Sequence, residues 1–229
     1  MKNYLIIGAS SGIGKSIAQQ LAKEHTVFGT YRNTEAEQTP NINFHYLDVL
    51  EDDLDFKFLP EVLDGLVYCP GSINLKPFKR FSAKDFEDDF KLQVSGAVKC
   101  IQACLPQLKK SKQGSIVLFS SVAVQNGFNF HSQVSASKGA IEGMGKALAA
   151  EFAPKIRVNV IAPSLTNTPL ASSMLNSEKK IEANAERHPL KSIGESEDIA
   201  NLAHFLLSDK SSWITGQVHH IDGGISTIK

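Results

Sequence analysis

The chain is poor in residues that would commit it to a metal, a membrane or a nucleic acid. Its three cysteines, Cys69, Cys100 and Cys104, are an odd number, and Cys100 and Cys104 stand four apart without further ligand partners. That pattern supplies neither a disulfide framework nor a metal site, so the three are read as small core residues and no metal is expected. His219 and His220 are neighbours on a strand-like run and point to opposite faces, which excludes a shared metal there. No apolar run is long enough to span a bilayer, and the N-terminus passes into a strand-like run without the charged region and apolar core of a signal peptide. The cytoplasm is therefore the expected location. Net charge is also lacking: 24 basic residues balance 24 acidic ones among 229. No overall field draws the protein to nucleic acid or an anionic membrane, and a small-molecule partner is expected. No Pro/Ser-rich linker or charge run divides the chain, so residues 1–229 are read as one domain with a large core.

What is present is alternation. Short apolar or β-branched runs at residues 4–7, 26–30, 43–47, 65–69, 115–119, 157–161 and 217–221 are separated by helix-length segments. This is the signature of βαβ units and of an α/β fold, a doubly wound parallel sheet in three α/β/α layers. Residues 82–85 form a capping box that opens one long helix, with Phe86, Phe90, Val94, Ala97, Ile101, Leu105 and Leu108 along its buried face. Asp85, Glu87, Asp88 and Asp89 suit the positive end of its dipole and are read as structural. A second helix runs from about 131 to 152, and Ser196 is read as the cap of a last one over 199–207. Residues 167–191 are polar, contain Pro169 and Pro189 and show weak helical periodicity, as a mobile lid over a site would. The two long helices carry more apolar positions than one sheet face covers. Small residues, Gly96, Ala97, Gly139, Ala140 and Gly143, allow close approach of a second copy.

Chemistry gathers at the strand ends. The turn Gly8-Ala9-Ser10-Ser11-Gly12-Ile13-Gly14 lies between the first strand and the first helix, where bare backbone amides and the helix dipole favour an anion. It is read as a dinucleotide pyrophosphate site, although its glycine spacing differs from Gly-x-Gly-x-x-Gly. The second strand ends at Tyr31-Arg32-Asn33, with an arginine that can accept a ribose 2′-phosphate and no acid at that point. Asp48-Val49, Pro70-Gly71 and Ser120-Ser121 end the next three strands along the same edge. Val134 and Lys138 are one helical turn apart.

Taken together these residues resemble the short-chain dehydrogenase/reductase family, from Lys2 to the C-terminus. The glycine turn follows the family's Thr-Gly-x-x-x-Gly-x-Gly apart from Ile7 at the threonine, and Asp48 matches the acid that contacts adenine. Ser121 stands at the active-site serine, Ser135-Ala136-Ser137-Lys138-Gly139 resembles the lysine segment, and Arg157 to Pro163 resembles the strand before the nicotinamide. Segments 189–200 and 214–224 also follow the family. The resemblance implies a Rossmann fold, a homotetramer or homodimer, and a nicotinamide dinucleotide held by Gly8, Ser10, Ser11, Gly12, Ile13, Gly14, Arg32, Asp48, Val49, Gly71, Lys138, Pro163, Thr166 and Thr168. With Arg32, NADP(H) is expected over NAD(H).

The departures concern proton chemistry. The family's catalytic tyrosine, four residues before the lysine and thirteen after the serine, is Val134. The relay asparagine is Gln93, Asn-Asn-Ala-Gly becomes Tyr68-Cys69-Pro70-Gly71, and the Pro-Gly beside the nicotinamide becomes Pro163-Ser164. The candidate catalytic set is Ser121, Lys138, Gln93 and His131, the last being the nearest side chain that titrates around neutral pH, or else an exposed residue in a first helical turn. Three readings follow: an NADP(H)-dependent oxidoreductase acting on a small carbonyl or alcohol with a substituted acid, a catalytically silent NADP(H) binder that senses the cofactor or supports a partner, and a non-redox lyase, isomerase or dehydratase using the same pocket.

Overall fold

A computed structural model describes residues 1–34 and 39–228. The strands are β1 (Asn3–Ile7), β2 (Thr26–Tyr31), β3 (Ile42–Tyr46), β4 (Gly65–Tyr68), β5 (Gly114–Phe119), β6 (Ile156–Pro163), β7 (Thr166–Asn167), β8 (Gly194–Glu195) and β9 (Val218–Ile221). The helices are α1 (Gly12–Leu21), α2 (Ala83–Phe90), α3 (Gly96–Lys110), α4 (Ala123–Asn126), α5 (Ser132–Phe152), α6 (Glu178–Ala185) and α7 (Ser196–Leu207). Seven strands pair in parallel in the order β3-β2-β1-β4-β5-β6-β9. The chain winds outward from β1 through β2 to β3, returns to place β4 beside β1, and then winds the other way. The crevice at the carboxyl ends of β1 and β4 is the switch point at which such sheets bind ligands.

Alternate residues of the buried strands serve opposite cores. Leu5, Ile7, Leu66 and Leu118 pack with Ala97, Ile101, Leu108 and Ile141 from α3 and α5. Tyr4, Ile6, Val67 and Val117 pack with Ile17, Leu21, Ile199 and Leu206 from α1 and α7. This is the three-layer α/β/α arrangement expected from the alternation. No helix among the described residues is long and apolar enough to cross a membrane.

Several expectations need correction. The long helix is two, α2 and α3, joined by a π-helical segment over Lys91–Ser95. There the Tyr68 hydroxyl donates to the Leu92 carbonyl at 2.5 Å. Gly96 is turned inward, where a Cβ would collide with that hydroxyl, and Ala97 is fully buried, so neither is available to a second copy. The cap of α7 is Glu195, in a capping box with Asp198, rather than Ser196, which lies one residue inside and donates to the Asn167 carbonyl. β6 continues through Pro163, whose missing amide costs nothing at a strand end. Residues 167–191 hold defined structure: β7 pairs with β8, a 3-10 turn spans Pro169–Met174, and α6 follows with Ser177 capping it. Their polar composition reflects exposure, since no residue of α6 is buried.

Candidate active site

The glycine turn is fixed to β2, with the Gly8 amide donating to Thr30 Oγ1 at 3.1 Å and the Ala9 amide to the Thr30 carbonyl at 2.8 Å. Gly8 has φ +80°, in the left-handed region glycine tolerates. A Cβ on Gly14 would strike the Gly8 carbonyl oxygen, so α1 starts against the turn only because that residue is glycine. Ser11 caps α1 without a side-chain bond, and its first turn holds no acid. Among the described residues, then, no side chain caps the terminal amides and no acid of the first turn offsets the positive end of the dipole. A cavity of about 310 Å³ opens here, lined among others by Gly8, Ser10, Ser11, Gly12, Ile13, Gly14, Arg32, Val49, Gly71 and Thr168. A bare-backbone cradle beside an arginine fits a phosphate-bearing dinucleotide. Asp48 lies outside both cavity linings: its carboxylate pairs with Arg32 Nε at 2.8 Å and accepts from the Leu50 amide at 2.9 Å. The two residues expected to hold different parts of a cofactor hold each other. Glu35 and Glu37, three and five residues after Arg32 in sequence, lie outside the described residues.

A second cavity, of about 250 Å³, is lined by Gln93, Ser121, His131, Val134, Lys138, Pro163 and Thr166, with apolar side chains making up much of the remainder. It shares Ile13, Cys69, Gly71, Thr168 and Leu170 with the first, so the phosphate cradle runs into it. Cys69 is therefore a wall between the two rather than a plain core residue; burial pushes its thiol up to about 12, and it is not a reactive thiolate. Lys138 Nζ donates to the Phe119 carbonyl at 2.9 Å. Desolvation pulls its ammonium down to about 8, against the opposing pull of Asp89. The space above Gly71 is where Lys138 and Gln93 converge: a Cβ there would sit 3.6 Å from Nζ and 3.3 Å from Gln93 Oε1. Gln93 Oε1 is buried without a hydrogen-bond partner among the described residues. The π segment carries Gln93 into this position, and π bulges are often found at functional sites.

Asp89 is not merely a helix-dipole residue. At 5% exposure it accepts from both Ser72 and Ser137, the latter at 2.6 Å, and from Gln93 Nε2 at 2.9 and 2.8 Å. It orients Gln93 so that the amide oxygen is the atom left over. Of the two serines ending β5, Ser120 is committed to Glu142 at 2.6 Å, while Ser121 Oγ accepts the Ala123 amide at 3.2 Å and keeps its own hydrogen for a ligand. Val134, only 5% exposed, presents an apolar surface one turn before Lys138.

The family model described as enoyl-(acyl carrier protein) reductase matches residues 47–226. The chain belongs to the short-chain dehydrogenase/reductase family. It is 30% identical to the 3-oxoacyl-acyl-carrier-protein reductase FabG of Staphylococcus epidermidis, over 98% of this chain and 98% of FabG. Among solved structures, ligand-free aldohexose dehydrogenase AldT of Thermoplasma acidophilum superposes with a TM-score of 0.92 at 27% identity, covering 100% of this chain and 95% of that one. ElxO with NADP bound superposes with a TM-score of 0.86 at 28% identity, covering 98% of both chains. The Rossmann fold is thereby shown.

Two histidines of this short-chain dehydrogenase/reductase line the chamber. His131 lies at the N-cap of α5, with Nδ1 2.7 Å from the Asn129 carbonyl, and it does line the cavity. It is not the only imidazole there. His188, 4% exposed, lines the same cavity with Nε2 2.8 Å from Ser164 Oγ and Nδ1 2.8 Å from the Asn184 carbonyl. The signal for it was Ser164, which replaces the glycine of the family's Pro-Gly; the histidine itself stands 24 residues on.

Proposed function

We propose that the chain is an NADP(H)-dependent oxidoreductase interconverting a small carbonyl compound and its alcohol. The observation that carries this reading is the continuity of the two cavities across Gly71, with Lys138 Nζ, Gln93 Oε1 and the Ser121 hydroxyl brought to one chamber. NADP bound to the structurally similar ElxO supports the choice of cofactor. When bound, the nicotinamide supplies a hydride; the remaining work belongs to the chain. The amides at Ser10 to Ile13 would hold the pyrophosphate, and Arg32 would exchange Asp48 for the 2′-phosphate, with Asp48 and Val49 flanking the adenosine end. Pro163, Thr166 and Thr168 would hold the nicotinamide end. Lys138 would hold the ribose and place a positive charge where negative charge develops, and Ser121 would donate to the substrate oxygen. Gln93 Oε1 would accept from a water or a substrate hydroxyl. Val134 supplies an apolar wall but no proton, and His131 is one substitute within the chamber.

The chain acts in this reading as one domain, 1–229, with residues 167–191 over the substrate chamber, in the cytoplasm. It assembles as a homodimer or homotetramer: a Cβ added to Gly143 meets nothing within 4 Å, and one added to Gly139 meets only Val124, so this face of α5 is open to a second copy. A second reading, a silent NADP(H) binder, is favoured by Val134 alone. Fluorescence titration with NADPH and NADH, followed by NADPH consumption over a panel of carbonyl compounds, tests both. Tight NADPH binding with turnover supports the oxidoreductase, and tight binding with no turnover supports the silent binder.

A further inference from the structure

Resting on the oxidoreductase reading, we infer that Ser164 gives the proton to the substrate oxygen and that His188 behind it restores that proton. The geometry of the pair is defined at both imidazole nitrogens. A carbonyl only accepts, so the 2.8 Å contact with the Asn184 carbonyl makes Nδ1 the protonated nitrogen. Nε2 of neutral His188 then accepts from the Ser164 hydroxyl at 2.8 Å. Once His188 is protonated, Nε2 donates to Ser164 Oγ instead, and the serine's hydrogen is released toward another acceptor. Ser164 lines the chamber beside Ser121: the Pro163 carbonyl accepts from the Val122 amide at 3.2 Å, which joins the two strand ends that carry these serines. The His131 ring is instead anchored to the Asn129 carbonyl at the exposed start of α5.

The step balances. Hydride from the reduced dinucleotide forms the new C–H bond while the carbonyl π pair moves to oxygen. That oxygen takes the Ser164 hydrogen, Ser164 Oγ takes the Nε2 hydrogen, and neutral His188 remains with Nδ1 on Asn184. The carbonyl is reduced, the dinucleotide is oxidised, and solvent returns one proton to His188. Ser164 touches the substrate; His188 is a positioning residue acting through it. The imidazole is held by Gly223, where a Cβ would lie 3.3 Å from His188 Cβ. Charged or titratable groups around it are Arg187 next in sequence, Asp222 beside Gly223, the Glu186–Lys191 ion pair, and Lys138 and His131 across the chamber.

Two readouts test the relay. In protein labelled with ¹⁵N at histidine and free of cofactor, His188 should show a protonated Nδ1 and a bare Nε2 at alkaline pH, and Ser164→Ala should move the Nε2 resonance. In NADPH-driven reduction, Ser164→Ala, which removes one oxygen, and His188→Gln should both lower kcat by about 10² to 10⁴, with the KM for the carbonyl compound and NADPH affinity retained. His220→Ala, exposed on β9, is the control. Wild-type kcat in Ser164→Ala, or a loss of kcat in His131→Ala alone, overturns the relay while carbonyl reduction stands. NADPH binding without reduction of any carbonyl overturns the relay and the oxidoreductase reading together.

Discussion

Val134 is the residue on which the chemistry turns. It occupies the wall of a chamber of about 250 Å³, one turn before Lys138, so a tyrosine there has space to enter and a cation close enough to favour its phenolate. Val134→Tyr should raise carbonyl reduction by up to about 10² to 10⁴, read as NADPH consumption; an unchanged rate would mean that proton transfer is already supplied. Lys138 sets a second expectation. Burial favours its neutral form, so the ammonium is present below about pH 8 and lost above it. Turnover that needs this cation should therefore decline as pH rises past about 8, and Lys138→Arg, whose guanidinium keeps its charge, should move that limb upward. At the other end of the cleft, Arg32→Asp should weaken NADPH binding by at least about tenfold while sparing NADH, a difference of about 1.4 kcal/mol, measured by fluorescence titration. Ser121 and Lys138 were legible because they sit in local motifs. His188 was not, because it meets Ser164 only after the chain has passed through α6 and turned back, and no periodicity records that encounter.

The π segment between α2 and α3 shows why helices are easier to find than to aim. A 3.6-residue period continues on either side of one inserted residue, so the sequence reads as one helix; only the structure shows Gln93 rolled toward Lys138. Asp89 has a sufficient explanation in the helix dipole, and that explanation hid its place in the site. It is the shared acceptor of Ser72, Ser137 and Gln93. Asp89→Ala should cost about 2–4 kcal/mol in denaturant unfolding, since two buried donors, Gln93 and Ser137, and the half-buried Ser72 lose their acceptor, and should lower turnover by freeing Gln93. Gly96→Ala, forced against the Tyr68 hydroxyl, should cost about 1–3 kcal/mol by overpacking.

Across the whole molecule the sheet was readable because both of its faces are covered: strands buried on two sides must be continuous apolar runs, and the helices between them must carry an apolar stripe. Surfaces that meet other molecules leave a fainter trace. Trp213 at 99% exposure and the open glycines of α5 are consistent with a second copy, and light scattering at micromolar concentration should return a dimer or tetramer mass rather than a monomer. The central claim is that a chamber without the family's tyrosine still transfers hydride. NADPH carrying deuterium at its transferable position, incubated with the wild-type protein and a panel of carbonyl compounds, tests it by mass spectrometry of the alcohols. One deuterium on the carbinol carbon of at least one product is the predicted result; saturable NADPH binding with no deuterium in any product would contradict it.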